Sequence, residues 1–212
     1  MGLRQLFFFP REYKKVFRVS AIILLSALAF GVVFGSVYVG YMDYYAQEDL
    51  ENGLDYFLQI TDEGGQVSSA KIATNSLNTN GIFILYTVIC GLAVIGLPLV
   101  VVMVAFRGAL LGFTVGYLVK RLAWKGIVFI LVTLLPFSII NILVSLFSGT
   151  TAMTFSWIII KKVFGGREHN PTPILGFLSL QVLAFLVMFL LALLEAAAVP
   201  WLFPRLLPWA LK

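Results

Sequence analysis

Residues 91–119 read GLAVIGLPLVVVMVAFRGALLGFTVGYLV, and this stretch decides the fold. Its only charge is Arg107, and its apolar run is interrupted at Pro98. Three glycines recur every four residues: Gly108, Gly112 and Gly116. Glycines at this spacing form one face of a helix, and in lipid such a face lets two backbones approach closely. An arginine inside a membrane segment marks function or a boundary. We therefore predict that this stretch organises a membrane-embedded core.

The composition is that of an all-α integral membrane protein. Of the 212 residues, 60% are hydrophobic and 12% are charged, whereas a soluble domain has about 25% charged residues. Several apolar runs reach the roughly 20 residues that a helix needs to span a bilayer. The formal charge of +5 comes from short basic clusters between these runs, so we expect no nucleic-acid partner. Membrane lipids are the expected surroundings.

The pattern of apolar runs predicts about five transmembrane helices and one partial segment. The basic N-terminal segment, residues 1–18, favours a cytoplasmic N-terminus, and an interfacial helix that binds anionic lipid is the alternative. The helical core is predicted over residues 81–200, with an interfacial tail over residues 201–212. The first span is predicted at 19–41 and a second at 81–104. Residues 106–119 should form a partial segment that re-enters or lies along the bundle as a short helix. Two short spans are predicted within 126–160, turning near Ser148–Gly149, and a last span at 174–198.

The basic residues give the predicted orientation, because cytoplasmic loops carry an excess of Lys and Arg. Twelve cations are assigned to the cytoplasmic side: Arg4, Arg11, Lys14, Lys15, Arg18, Arg107, Lys120, Arg121, Lys125, Lys161, Lys162 and Arg167. Three are assigned to the outside: Lys71, Arg205 and Lys212. The predicted topology therefore has the N-terminus inside and the C-terminus outside.

The first span has a small-residue face of its own, formed by Ala27, Gly31 and Gly35. This face matches the glycine strip of residues 108–116, so the two can pack against each other within one chain. Either face could instead form a homo-oligomer. We favour packing within the chain.

Residues 42–80 form the only sizeable polar segment, and we predict an extracytoplasmic helix and loop there. An apolar helical face is set by the spacing of Leu50, Leu54, Phe57 and Leu58. The segment carries seven acids: Asp43, Glu48, Asp49, Glu51, Asp55, Asp62 and Glu63. The helix could rest on its own bundle or dock a partner. The candidate partner surface comprises the apolar face together with Glu48, Glu51 and Asp55.

Several motifs together resemble the stage II sporulation protein M family. They are GLAVIGLPLV, FRGALLGFTVGYLV, WKGIVF, a proline-centred segment and LLEAAAVP. The residues that carry the resemblance are Gly96, Pro98, Arg107, Gly108, Gly112, Gly116, Pro136, Glu195 and Pro200. This resemblance implies a scaffold in a bacterial cell membrane, namely the mother-cell membrane during engulfment of the forespore. Its implied partners are two extracytoplasmic wall hydrolases, the stage II sporulation proteins D and P.

The residues themselves indicate that this protein is not an enzyme. His169 is the only histidine and Cys90 the only cysteine, so neither has a second ligand of its own kind for a metal site. Metalloprotease, nucleophile-elbow and Walker-type motifs are absent from the sequence. We therefore expect no cofactor. Two classes of function remain open: a membrane scaffold, or a transporter or lipid-handling protein whose substrate site lies at broken helices.

Two ionisable groups, Arg107 and Glu195, are expected at or near membrane depth. In the predicted topology Arg107 lies near the cytoplasmic face and Glu195 near the outer face. They should not pair directly, because roughly 30 Å of hydrocarbon core would separate them. Each group could snorkel toward its interface. Otherwise Arg107 would bind carbonyl oxygens at the ends of broken helices or a lipid phosphate.

Overall fold

The computed structural model describes residues 14–42, 69–93, 96–133, 135–165 and 174–211, and the regular structure in these ranges is helical throughout. In lipid, a helix satisfies every backbone polar group within its own segment, which explains this uniformity. The helices are α1 (Lys14–Tyr38), α2 (Ser69–Leu92), α3 (Gly96–Thr133), α4 (Leu135–Gly165) and α5 (Ile174–Leu211). A short 3₁₀ helix, Val39–Tyr41, extends α1.

Four of the five long helices are long and apolar enough to cross a membrane. Their apolar portions are Lys14–Tyr41, Gly96–Lys120, Pro136–Phe164 and Ile174–Trp201. The remaining helix, α2, is more polar because it begins with SAKIATNSLNTN. The predicted all-α integral membrane architecture with about five transmembrane helices is confirmed.

Helices α1 and α3 run parallel to each other and in close contact. The backbone of Leu28 faces Gly108, and two turns further along both helices the backbone of Ser36 faces Gly116. Helix α2 runs opposite to α5, since Gly91 lies beside Phe177 near the start of α5. The chain therefore alternates direction from one helix to the next, and α1 begins at the opposite end of the bundle from the end of α5.

The centre of the bundle is α4. In its most apolar 18-residue stretch 61% of the residues are buried, against 22–33% in the corresponding stretches of the other three apolar helices. Gly149 of α4 lies close to Leu24 of α1 and Val100 of α3, and a Cβ there would approach their methyl groups to 3.2 and 3.3 Å. Further along α4, Phe155 stacks on Phe177 with ring centroids 4.5 Å apart. The helix thus contacts its neighbours on several sides.

The predicted turn near Ser148–Gly149 is wrong, because α4 passes through both residues without interruption. Gly149 does not end the helix, and its lack of a side chain allows close packing against α1 and α3. Pro136 lies at the second position of α4, where its missing N–H removes no helical hydrogen bond. One long span replaces the two short ones.

The predicted partial segment at residues 106–119 is also wrong, since these residues form the middle of α3. The 39 residues from Gly81 to Val119 are slightly too few for two full spans of roughly 20 residues each. The chain resolves this by using the polar residues 69–80 in α2 and by starting α3 at Gly96. Pro98 then falls in the first turn of α3, where proline is tolerated.

The last helix is longer than expected. We predicted a span ending near Ala198 and Pro200, but α5 continues to Leu211. A proline inside a helix removes one backbone hydrogen bond, and membrane helices tolerate this where neighbouring groups satisfy the freed carbonyl.

The assignment of Lys120 to the same side as the N-terminal cations is wrong. Gly116 lies beside Ser36, so Lys120, one turn later on α3, is near the end of the bundle where α1 ends. Lys14 lies at the other end. The error followed from treating residues 106–119 as a segment that does not cross.

Candidate functional site

Arg107 points into the bundle from the middle of α3, and its guanidinium bonds to two other helices. It donates hydrogen bonds to the side-chain oxygens of Asn80 on α2 and of Ser145 and Asn141 on α4, the last at 3.1 Å. The Phe83 ring lies 4.4 Å from the guanidinium carbon, a cation–π contact. Arg107 therefore joins three helices at one point.

These partners differ from the backbone carbonyls or lipid phosphate that we expected for Arg107. Asn80 and Ser145 are buried, with exposed fractions of 2% and 3%. Each would be costly to place in an apolar interior without a hydrogen bond. The arginine supplies the donors they need, and they supply acceptors that offset part of the cost of placing its charge inside the bundle.

The second ionisable group, Glu195 of α5, is connected to this site through α2. Ser76 donates a hydrogen bond to the Glu195 carboxylate at 2.9 Å, and the Asn80 amide lies 3.5 Å from the Ser76 hydroxyl oxygen. The resulting series of side chains runs from Glu195 through Ser76 and Asn80 to Arg107. We call these four residues the Arg107–Glu195 chain.

The expectation that hydrocarbon separates Arg107 from Glu195 is wrong. It depended on placing Arg107 beyond the end of a span, whereas Arg107 lies within α3. The other part of the expectation, that the two should not pair directly, agrees with the contacts described above. They are joined by two intervening side chains of α2.

A second polar cluster lies on α4, beside the first. Gln181 of α5 accepts a hydrogen bond from Ser148 at 2.6 Å and donates to Thr151 at 2.9 Å and to the Ser148 carbonyl oxygen at 3.1 Å. Ser148 also lies 3.1 Å from the Thr87 hydroxyl of α2. All four side chains are almost fully buried, so this cluster ties α2, α4 and α5 together.

Both clusters use one face of α4. Their α4 residues are Asn141, Ser145, Ser148 and Thr151. The spacings of four, three and three residues place them in a row along the helix. This helical spacing of polar residues is visible in the sequence and could have indicated the shared face.

The glycine strip lies in the α1–α3 interface. A Cβ at Gly112 would overlap the Val32 carbonyl oxygen, and Gly35 lies equally close to the Ala109 backbone. Ser36 donates to the Gly112 carbonyl oxygen at 3.0 Å, which adds a hydrogen bond at the closest approach. The small-residue faces of the two helices thus pack together within the chain.

The remaining residues of the family motif lie at helix ends or in α5. Gly96 begins α3, where a Cβ would overlap the Cys90 carbonyl oxygen, so the chain can pass from α2 to α3 only with glycine there. Pro136 is exposed near the start of α4, and Pro200 is half-buried in α5.

The candidate partner surface lies outside the described residues. This applies to Leu50, Leu54, Phe57, Leu58, Glu48, Glu51 and Asp55. His169 also lies outside them. Within the described ranges, no three His, Cys, Asp or Glu side chains come together as a metal site would require. The hydrogen bonds described above, made by the Arg107 guanidinium, amides and hydroxyls, hold the helices together.

A family model described as Stage II sporulation protein M matches residues 21–200, a range that includes most of α1, both polar clusters and most of α5. No curated protein and no solved structure matches the chain.

Proposed function

Because this chain belongs to the stage II sporulation protein M family, a sporulation-related family of membrane proteins, we propose that it is a non-enzymatic scaffold for peptidoglycan hydrolases. It would recruit or orient these enzymes on the extracytoplasmic side of the membrane without cleaving peptidoglycan itself. By analogy with the family, the partners are enzymes resembling the stage II sporulation proteins D and P. The process is engulfment of the forespore, and the location is the mother-cell membrane.

The observation that carries this proposal is how the bundle uses its buried polar groups. Arg107 binds three side chains on two other helices. Gln181 uses both ends of its amide on α4. A network whose members satisfy one another makes a rigid core, as does the backbone contact between α1 and α3. A rigid membrane base suits a protein that positions other proteins.

A second candidate function is transport or lipid handling. One observation favours it: Ser156 of α4 donates a hydrogen bond to the Ala93 carbonyl oxygen, directly after the end of α2, at 2.8 Å. Polar groups near a break between helices are typical of substrate sites in transporters. Flux of lipids or ions in proteoliposomes, compared with protein-free liposomes, would support this function over a scaffold.

Site-specific crosslinking tests the scaffold. A photoreactive amino acid at Asp55, in the acidic segment, should form adducts with a wall hydrolase. The matched position is Lys162 near the end of α4, at the opposite end of the bundle from the start of α2, and it should give no hydrolase adduct. The proposal fails if Asp55 gives no hydrolase adduct in sporulating cells, or if Lys162 gives the same adducts.

The proposal that the chain is not an enzyme has its own test. Purified protein, incubated with peptidoglycan, should release no soluble fragments, whereas a purified hydrolase in the same assay should. Release by the scaffold preparation that survives removal of co-purifying hydrolases would contradict the proposal.

A further inference from the structure

We infer that Arg107 and Glu195 act together as a lock on α2, so that this helix can leave the bundle as a unit when either charge is lost. The Arg107–Glu195 chain brings a cation of α3 and an anion of α5 onto the same helix. Both contacts fall on successive turns of α2, at Ser76 and Asn80.

Helix α2 differs from its neighbours in what holds it. Among the long helices of the described ranges, α2 is the one that is not apolar enough to span a membrane by itself. The polar residues of its first half lower its mean hydropathy. Without a strong apolar anchor, its place in the bundle depends more on polar contacts.

These polar contacts recur on the inward face of α2. Ser76 bonds to Glu195, Asn80 to Arg107, and Thr87 to the second cluster. Their spacing of four and seven residues places all three on one face. Phe83, between them, adds the cation–π contact with Arg107. Arg107 therefore contacts α2 on two successive turns.

The two charges depend on each other through α2. A lone charge inside a protein costs much more than a compensated pair, and breaking such a pair by removing one member is strongly destabilising. Here compensation passes through the Ser76 hydroxyl and the Asn80 amide, both dipoles that can orient between a carboxylate and a guanidinium. Loss of either charge leaves the other against α2 with its counter-charge removed.

The lock has a consequence for the acidic segment, residues 43–63, because these residues precede α2 in the chain and α2 begins at Ser69. If this segment binds a hydrolase, release of α2 should change hydrolase recovery. This consequence rests on the proposed function, whereas the lock itself does not.

Hydrogen exchange measured by mass spectrometry, with the full chain in nanodiscs, tests the lock. Arg107→Gln and Glu195→Gln each remove one charge and add none, so insertion is not hindered. In each variant, amides of α2 should exchange about tenfold faster or more, while those of α1 should change little. Cys90, the single cysteine and buried on α2, should also alkylate faster.

The double variant, Arg107→Gln with Glu195→Gln, separates a lock from general damage. If the charges act together, the acceleration of α2 exchange in the double variant should be smaller than the product of the two single accelerations, by about threefold or more. Asn78→Ala, at an exposed position of α2, is the matched control and should leave exchange unchanged. Ser76→Ala removes the link without changing charge, and should reduce the further effect of Glu195→Gln.

Three results would overturn the lock: unchanged α2 exchange in both single variants, effects that multiply in the double variant, or equal acceleration in all five helices. Hydrolase co-purification from the same variants tests the consequence separately. Lower recovery with Arg107→Gln supports coupling to the acidic segment. Normal recovery despite faster α2 exchange rejects the coupling and leaves the lock in place.

Discussion

Replacing Gly112 by alanine should push α1 away from α3. The added Cβ would lie 2.7 Å from the Val32 carbonyl carbon and 2.8 Å from its Cα, whereas carbon atoms pack at about 3.5–4.0 Å. The two backbones would have to separate by roughly 1 Å, a figure that follows from this difference. Overpacking of this kind costs about 1–3 kcal/mol, and Gly112→Leu should cost more.

Two further glycines provide a graded series. At Gly116 a Cβ would approach the Ser36 Cα to 3.2 Å, so a smaller shift suffices. At Gly81 the nearest atom would be on the Phe185 ring at 3.7 Å, an ordinary contact. Gly81→Ala should therefore be neutral or stabilising by up to about 1 kcal/mol, because alanine favours helix.

Equilibrium unfolding in mixed SDS micelles measures this series. The free energy of unfolding should rank Gly81→Ala highest, Gly116→Ala next and Gly112→Ala lowest. Equal stability of Gly112→Ala and Gly81→Ala would show that α1 and α3 do not meet at the glycine strip. If the Gly112→Leu protein is produced at the normal level and is as stable as Gly81→Ala, the strip faces lipid.

Three other predictions follow from the structure and the sequence. In a Cys90-free background, cysteines at Ser68 and Lys120 should label from the outside and one at Gly166 from the inside; labelling of Lys120→Cys from the inside would contradict a continuous crossing by α3. Gln181→Leu should lower the free energy of unfolding by about 0.6–1.7 kcal/mol, because Ser148 and Thr151 lose a partner, whereas Val182→Leu, at an exposed position next to it, should change it little. Replacing Leu54 and Phe57 together with Ser should weaken hydrolase co-purification if a partner covers this face, or lower thermal stability if the bundle does; normal results in both assays would remove both roles.

The helical class and the glycine faces could be predicted from the sequence because both are local properties. Apolar runs of sufficient length require helices in lipid, and glycines four residues apart must share a helix face. The pairing of these faces needed only the additional fact that small residues favour close approach.

The crossings within the core could not be predicted in the same way. Gly149 inside α4 and Pro98 at the start of α3 look alike as interruptions of an apolar run, although one permits packing and the other begins a helix. Hydropathy also cannot distinguish polar residues in a loop from polar residues that face a partner inside a bundle. For this reason the sequence places Asn80 in the external segment 42–80, and the Arg107–Glu195 chain is not predicted.

The central claim is that the chain holds wall hydrolases at the membrane, and co-flotation with liposomes tests it most directly. Purified hydrolase ectodomains should float with liposomes that contain this protein and stay at the bottom of the gradient with protein-free liposomes. Neutralising Glu48, Glu51 and Asp55 together should reduce the floating fraction while the protein remains inserted. Hydrolases that fail to float with the wild-type protein, under conditions where they are folded and active, would contradict the claim.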